Sequence, residues 1–290
     1  MGPESPVIAV DTTIDSYAVM GNPVAHSKSP LIHQAFALQT SQSIRYQAIL
    51  VAQDGIVDAV HAFRDAGGKG LNITVPFKEQ AWQLADRRTP RAGLAGAVNT
   101  LSFSHTGEID GDNTDGAGLL RDLERNHVGL TDRRILILGA GGAVRGVIGP
   151  LMEQGPAQLV IANRTVARAE TLLSQFSQFN QLSVCSLAEL SSSGSFDLII
   201  NATSSGLHGE LPPLPDSLIG PQTCCYDMVY GDVEPVFVRW AKQRKAQLAL
   251  DGLGMLVEQA AESFYVWRGV RPDTIPVIRM LREKLTASSR

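Results

Sequence analysis

The 290-residue chain is 44% hydrophobic and 19% charged, with a formal net charge of −4. That composition suits a globular enzyme of one large or two modest domains, and the acidic balance excludes a general attraction to nucleic acid or anionic membranes. No apolar run reaches the ~20 residues of a membrane span, residues 1–13 lack a secretory pattern, and the three cysteines form neither a disulfide framework nor a spaced zinc site. A reduced, cytoplasmic protein is expected.

Taken in order, short β-type runs fall at 17–20, 46–50, 70–75, 98–103, 135–138, 159–162, 196–201, 225–228 and 246–250. Helical patterns fall between them at 31–39, 55–66, 116–126, 143–153, 166–176 and 235–245, with a helical C-terminus from Met255 to Leu285. Such alternation predicts an α/β fold with largely parallel sheets. A polar stretch at 126–134 precedes a fresh strand and a Gly-rich turn. The expected division is therefore a first α/β domain with a mostly parallel sheet over 1–126, completed by helices at 255–290, and a Rossmann-type domain over 127–254. A chain that crosses twice between domains is expected to leave a cleft for a ligand.

The first candidate site is the turn Gly21-Asn22-Pro23-Val24-Ala25-His26-Ser27-Lys28-Ser29-Pro30. Ser27 and Ser29 stand two residues apart where a strand runs into a helix. Unpaired N–H groups and the helix dipole favour an anion there, and two hydroxyls suit a small carboxylate. An ordinary helix start would read the same way. Downstream, Asn72-Ile73-Thr74-Val75-Pro76-Phe77-Lys78, Ala97-Val98-Asn99-Thr100 and Asp112-Asn113-Thr114-Asp115-Gly116 place polar residues at the ends of β-type runs. If those strands are parallel neighbours, Lys78, Asn99 and Asp115 converge at one sheet edge. A Lys–Asp pair there can relay a proton while Asn99 and Asp115 hydrogen-bond substrate hydroxyls. Calcium is discounted, because the acidic stretch lacks the rest of a twelve-residue loop and its terminal Glu. No metal is expected.

The strand at 135–138 ends in Gly139, Ala140, Gly141, Gly142 and Ala143, which reads as strand, glycine turn, helix. Gly139 permits the tight turn and Gly141 lets a pyrophosphate approach backbone at the helix start. Val144 departs from the Gly or Ala usual at the third fingerprint position, and a plain βα turn is the competing reading. After the next strand the chain offers Asn163, Arg164 and Thr165 rather than an acid. A guanidinium pairs with a 2′-phosphate that a carboxylate would repel, so the expected cofactor is NADP(H). Asn201-Ala202-Thr203-Ser204-Ser205-Gly206 follows a third buried strand, and Thr203 and Ser204 are expected near the cofactor's ribose or nicotinamide end.

With these segments and Tyr226-Asp227-Met228-Val229-Tyr230-Gly231 and Asp251-Gly252-Leu253-Gly254-Met255 in the same order, the chain resembles the shikimate dehydrogenase family over nearly its whole length. The resemblance implies NADP-dependent interconversion of shikimate and 3-dehydroshikimate in aromatic biosynthesis. It implies that Ser27, Ser29 and Tyr230 bind the substrate carboxylate, and that Thr74, Asn99 and Gln259 contact its carboxylate or hydroxyls. Lys78 and Asp115 would be the catalytic pair, while Met228, Gly252 and Met255 would lie by the cofactor. A monomer or homodimer is expected. Gln34, Leu207 and the run Asp232-Val233-Glu234-Pro235 depart from the family pattern without removing a catalytic position. Use of quinate or NAD, another two-domain NADP dehydrogenase and a non-catalytic sensor remain as alternatives.

Overall fold

The computed structural model describes residues 14–203 and 210–288. In its first unit, β1 (Asp15–Gly21) pairs in parallel with β2 (Ile44–Leu50) and β3 (Gly70–Ile73). Period-2 alternation sends Ala18, Met20, Leu71 and Ile73 into one apolar core. That core is closed by Ile56, Val60 and Phe63 of α2 (Ile56–Asp65), Ala81 of α3 (Lys78–Leu84) and Ala92 of α4 (Pro90–Ala95). Intervening residues face the other way: Tyr17 stacks on Trp267 at 4.7 Å, and His33 and Phe36 of α1 (Ser29–Gln39) meet Phe264.

Beyond β3 the pairing changes. β5 (Thr100–Phe103) runs antiparallel to β3 and to β6 (Ile109–Asp112), and β4 (Arg87–Arg88) closes the edge, giving the order β2-β1-β3-β5-β6-β4. The sheet is thus parallel in most pairs, but the pairs that carry Asn99 are antiparallel rather than parallel. The outcome for the site is the expected one by another route. A hairpin brings the start of β5 and the end of β6 to the carboxyl end of β3, where Ile73 N–H donates to Asn99 O at 2.8 Å.

The second sheet is fully parallel in the order β12-β11-β10-β7-β8-β9, with β7 (Arg134–Leu138), β8 (Gln158–Asn163), β9 (Leu182–Ser186), β10 (Phe196–Asn201), β11 (Ile219–Asp227) and β12 (Leu248–Leu250). Strand order reverses between β7 and β10, the doubly wound arrangement that leaves a ligand crevice at their carboxyl ends. Both faces are covered, which accounts for the uninterrupted apolar run Ile135-Leu136-Ile137-Leu138, fully buried throughout. The helices of this unit are α5 (Asp115–Arg125), α6 (Gly142–Glu153), α7 (Val166–Gln175), α8 (Val236–Gln243) and α10 (Ile275–Ser288).

The compact units run through Thr114 with Ala260–Asp273, and from Asp115 to Gln259 with residues from Thr274 onward. The division therefore falls at Thr114, not at 126, because α5 belongs to the second unit. A side chain at Gly116 would strike Pro150 and the Gly146 carbonyl of α6, and one at Gly118 would strike Gln259, so the two glycines let α5 lie close against its neighbours. Of the C-terminal helices, α9 (Leu253–Arg268) contributes residues from Ala260 to the first unit, whereas α10 falls with the second.

Candidate active site

The first unit gathers its candidate residues at the carboxyl edge of β1 and β3. Leaving β1, the chain is held by Asn22 N–H to Val75 O (3.0 Å) and Asn22 Nδ2 to Val51 O (2.9 Å). Gly21 carries no side chain because one would collide with Thr74. Ser27 Oγ then accepts from Ser29 N–H at 3.3 Å, so one hydroxyl lies just before the N-cap Lys28 and the other on the first residue of α1, followed by Pro30. Ser29 is buried and Ser27 half-buried. Thr74 follows β3 directly, tied by its N–H to Met20 O at 2.9 Å. Lys78 opens α3 rather than trailing the strand, and its carbonyl accepts from Val98 N–H at 2.9 Å, one residue before Asn99.

Asn99 is fixed on every side. Its N–H donates to Asp112 O at 3.0 Å and its Oδ1 accepts from Thr114 N–H and Thr100 Oγ1, each at 2.9 Å. Asn113 Nδ2 donates to Ala97 O at 3.0 Å. Asp112 in turn accepts from Arg91 Nε at 2.7 Å and Thr89 Oγ1 at 2.6 Å, and Arg91 Nη1 reaches Glu262 at 3.0 Å. The partners raise the Arg91 pKa against the opposing effect of burial. This network holds the stretch that leads directly into Asp115, the buried first residue of α5.

Beneath that edge lies a group that sequence reasoning did not single out. His33 is fully buried, stacks on Tyr46 at 4.1 Å, and neither ring nitrogen has a hydrogen-bond partner among the described residues. Burial drives its pKa down to about 3, with the Asn72 amide opposing. Tyr46 donates to Asn72 Oδ1 at 2.7 Å, and burial raises its pKa against a hydrogen bond with Ser29.

In the second unit the glycine turn follows β7. Gly139 adopts φ +107°, a conformation that disfavours any side chain, and donates to Ala162 O at 2.8 Å. Ala140 precedes Gly141, the N-cap of α6, and Gly142 and Ala143 form its first turn. Among the described residues, a side chain at Gly141 or Gly142 would meet no atom beyond its chain neighbours and own helix within 4 Å, so the helix N-terminus is open to a phosphate there. Asn163 ends β8 and donates to Thr165 O at 2.7 Å, with Arg164 and Thr165 exposed beside it. Arg168 is exposed in the first turn of α7.

Next to this turn, Asn201 ends β10, and its Oδ1 accepts from Thr203 N–H (3.2 Å) and Oγ1 (2.8 Å) while its Nδ2 donates to Asp227 at 3.2 Å. Burial raises the Asp227 pKa to about 6, opposed by its bonds to Val229 N–H and Asn201. Met228 N–H donates to Asn201 O at 2.9 Å, and Gly252 lacks a side chain because Met228's carbonyl occupies its space. Met255 N–H donates to Tyr226 Oη at 3.3 Å, and Tyr226 donates to Asp122 at 2.6 Å. Tyr230 is half-buried, with its pKa raised by desolvation, and Gln259 Nε2 donates to Leu256 O at 2.8 Å. Thr203 is the last residue described before a break; Ser204 and Leu207 lie outside the described residues. Among the described residues no cluster of three or more His, Cys, Asp or Glu is arranged to hold a metal.

Residues 19–101 match the family model of the shikimate dehydrogenase substrate binding domain. Residues 122–208 match that of shikimate / quinate 5-dehydrogenase, and residues 252–280 that of the shikimate 5'-dehydrogenase C-terminal domain. The chain is 60% identical over 269 residues to the shikimate dehydrogenase (NADP(+)) of Alkalilimnicola ehrlichii, covering 92% of this chain and 98% of that one. Among solved structures it is similar to an Ael1 enzyme from Pseudomonas putida, at 48% identity and TM-score 0.86 over 92% of this chain and 98% of that one. It is also similar to shikimate 5-dehydrogenase of Thermus thermophilus in complex with NADP(H) and shikimate, at 32% identity and TM-score 0.83 over 93% and 99% of the two chains.

Proposed function

The chain belongs to the shikimate dehydrogenase family, and on that premise we propose that it catalyses the NADP-dependent interconversion of shikimate and 3-dehydroshikimate for aromatic amino-acid biosynthesis, in the cytoplasm. The observation that carries this reading is the meeting of Ser27, Ser29, Thr74, Lys78 and Asn99 at one edge of the first sheet, each held there by backbone hydrogen bonds. Two hydroxyls at a helix start receive a carboxylate, and rigid amide and hydroxyl groups receive ring hydroxyls that would otherwise be buried unpaired.

In the proposed roles, Ser27, Ser29 and Tyr230 hold the substrate carboxylate, and Thr74, Asn99 and Gln259 orient the substrate. Lys78 takes the C3 hydroxyl proton as the alcohol is oxidised and returns it in the reverse direction. Asp115 belongs to the same proton relay. The open helix N-terminus at Gly139–Ala143 fits a pyrophosphate, and Asn163, Arg164 and Thr165 fit a 2′-phosphate. Thr203, Ser204, Met228, Gly252 and Met255 are assigned to the nicotinamide end. NADP+ supplies the hydride acceptor when bound.

The test is the rise in absorbance at 340 nm with shikimate and NADP+, beside parallel reactions with quinate and NAD+. Turnover that requires shikimate and prefers NADP+ is the expected result. Preference for quinate or NAD+ would move the substrate assignment within the family, and binding without turnover would refute catalysis.

A further inference from the structure

We infer that Ser263 is a positioning residue for the reaction, acting through Asn99 and Thr114; the inference rests on the function proposed above. Ser263 lies on α9, fully buried, with Oγ 3.0 Å from Asn72 Nδ2, 2.8 Å from Thr100 Oγ1 and 3.2 Å from Thr114 Oγ1. A serine hydroxyl donates once and accepts twice, so three neighbours can use it fully.

The direction of each bond follows from one fixed donor. Thr114 backbone N–H can only donate, and it donates to Asn99 Oδ1 at 2.9 Å, which identifies the amide oxygen. Asn99 Nδ2 then donates to Thr114 Oγ1 at 2.9 Å. Thr100 Oγ1 donates to Asn99 Oδ1 at 2.9 Å, and with its hydrogen so used it accepts from Ser263. Ser263 Oγ accepts from Asn72 N–H, and the Thr114 hydroxyl lies 3.2 Å from both Ser263 Oγ and Asn99 Oδ1. The result is a network in which one helix serine braces Thr100 and Thr114, the two residues whose groups hold Asn99 Oδ1. A buried network of this kind is costly when one member is missing, because its neighbours cannot turn to water.

Removing the Ser263 hydroxyl takes an acceptor from Asn72 and Thr114 and a donor from Thr100. The Thr100 and Thr114 hydroxyls, which flank Asn99, then lose a shared partner and the aim of Asn99 loosens, while every candidate cofactor residue keeps its partners. A displacement of about an ångström in a positioned group costs up to about a hundredfold in rate, and we expect Ser263→Ala to lower kcat/KM for shikimate about tenfold while KM for NADP+ stays within about twofold. Thr100→Val added to Ser263→Ala should add less than its own single effect, since both break the same network.

Steady-state kinetics of wild type, Ser263→Ala, Thr100→Val, the double variant and Val60→Ala test this. Val60 belongs to the separate core cluster beside α2, so Val60→Ala lowers the melting temperature without touching the network and should leave kcat/KM unchanged. A kcat/KM for Ser263→Ala within twofold of wild type, or an equal loss in Val60→Ala, would overturn the inference. Wild type inactive toward shikimate would overturn the functional reading, and this inference with it; the wild-type assay therefore separates the two failures.

Discussion

In the first unit the candidate binding edge is crowded with side chains that bind one another, whereas the candidate turn of the second is bare backbone. Asn99 alone accepts from Thr100 and Thr114 while its own N–H reaches Asp112 O. Around Gly141 and Gly142, by contrast, no other group among the described residues comes within 4 Å of the space a side chain would take. The difference matches the chemistry of the two ligands proposed. A ring with several hydroxyls is told from its isomers by donors and acceptors that cannot reorient, and a pyrophosphate needs close access to N–H groups at a helix start. Side-chain changes should therefore dominate in the first unit and backbone changes in the second.

The largest effect should come from Lys78→Ala. General acid–base help contributes about 10²–10⁴-fold, roughly 3–5 kcal/mol, so kcat should fall by that range while KM for shikimate changes less. A kcat near that of wild type would place proton transfer elsewhere.

A smaller effect, on stability rather than rate, is expected from His33. Its folded-state pKa is lowered to about 3, so it stabilises the fold fully above its unfolded pKa of about 6.5. That stability is lost as pH falls from there toward 3, at about 1.4 kcal/mol per pH unit while the unfolded chain alone is protonated. Urea unfolding at pH 7 and pH 5 should show wild type losing about 2 kcal/mol through this residue, and His33→Gln should lose correspondingly less between the two pH values. Identical pH slopes would mean that His33 is protonated in the folded protein.

Smallest is Gly139→Ala, which places a side chain at φ +107° and against the Ala202 carbonyl. A cost of about 1–2 kcal/mol in stability with a raised KM for NADP+ is expected, against an unchanged KM for shikimate. Thermal melting and initial rates read the two separately.

Much of the second unit was legible in advance. The uninterrupted Ile135-Leu136-Ile137-Leu138, the glycines after it and the absence of an acid after β8 are local signals that need no knowledge of the rest of the fold. The first unit was harder to read because its polar residues are satisfied at a distance. Ile109–Asp112 is absent from the predicted β-type runs, yet it is a strand whose Asp110 pairs with Arg87 and whose Asp112 pairs with Arg91. Gly111 fits there because Ala85 and Val98 leave no space for a side chain. α4 is likewise absent from the predicted helices, although Thr89-Pro90, a cap followed by proline, is a local signal for its start. The serines and Lys78 were recognisable by type and setting. Ser263 and His33 were not, since a lone serine or histidine in a helical pattern says nothing of what will surround it. The boundary at Thr114 was hidden for a like reason: only the packing of Gly116 and Gly118 assigns α5 to the second unit.

The central claim is that the polar edge of the first sheet recognises the substrate, whereas the glycine turn and Arg164 of the second unit recognise the cofactor. The most direct test is to measure both Michaelis constants in Asn99→Ala and Arg164→Ala. The account predicts a crossed result: Asn99→Ala raises KM for shikimate and leaves that for NADP+ near wild type, and Arg164→Ala does the reverse. If each variant raised both constants equally, the division of labour would be contradicted.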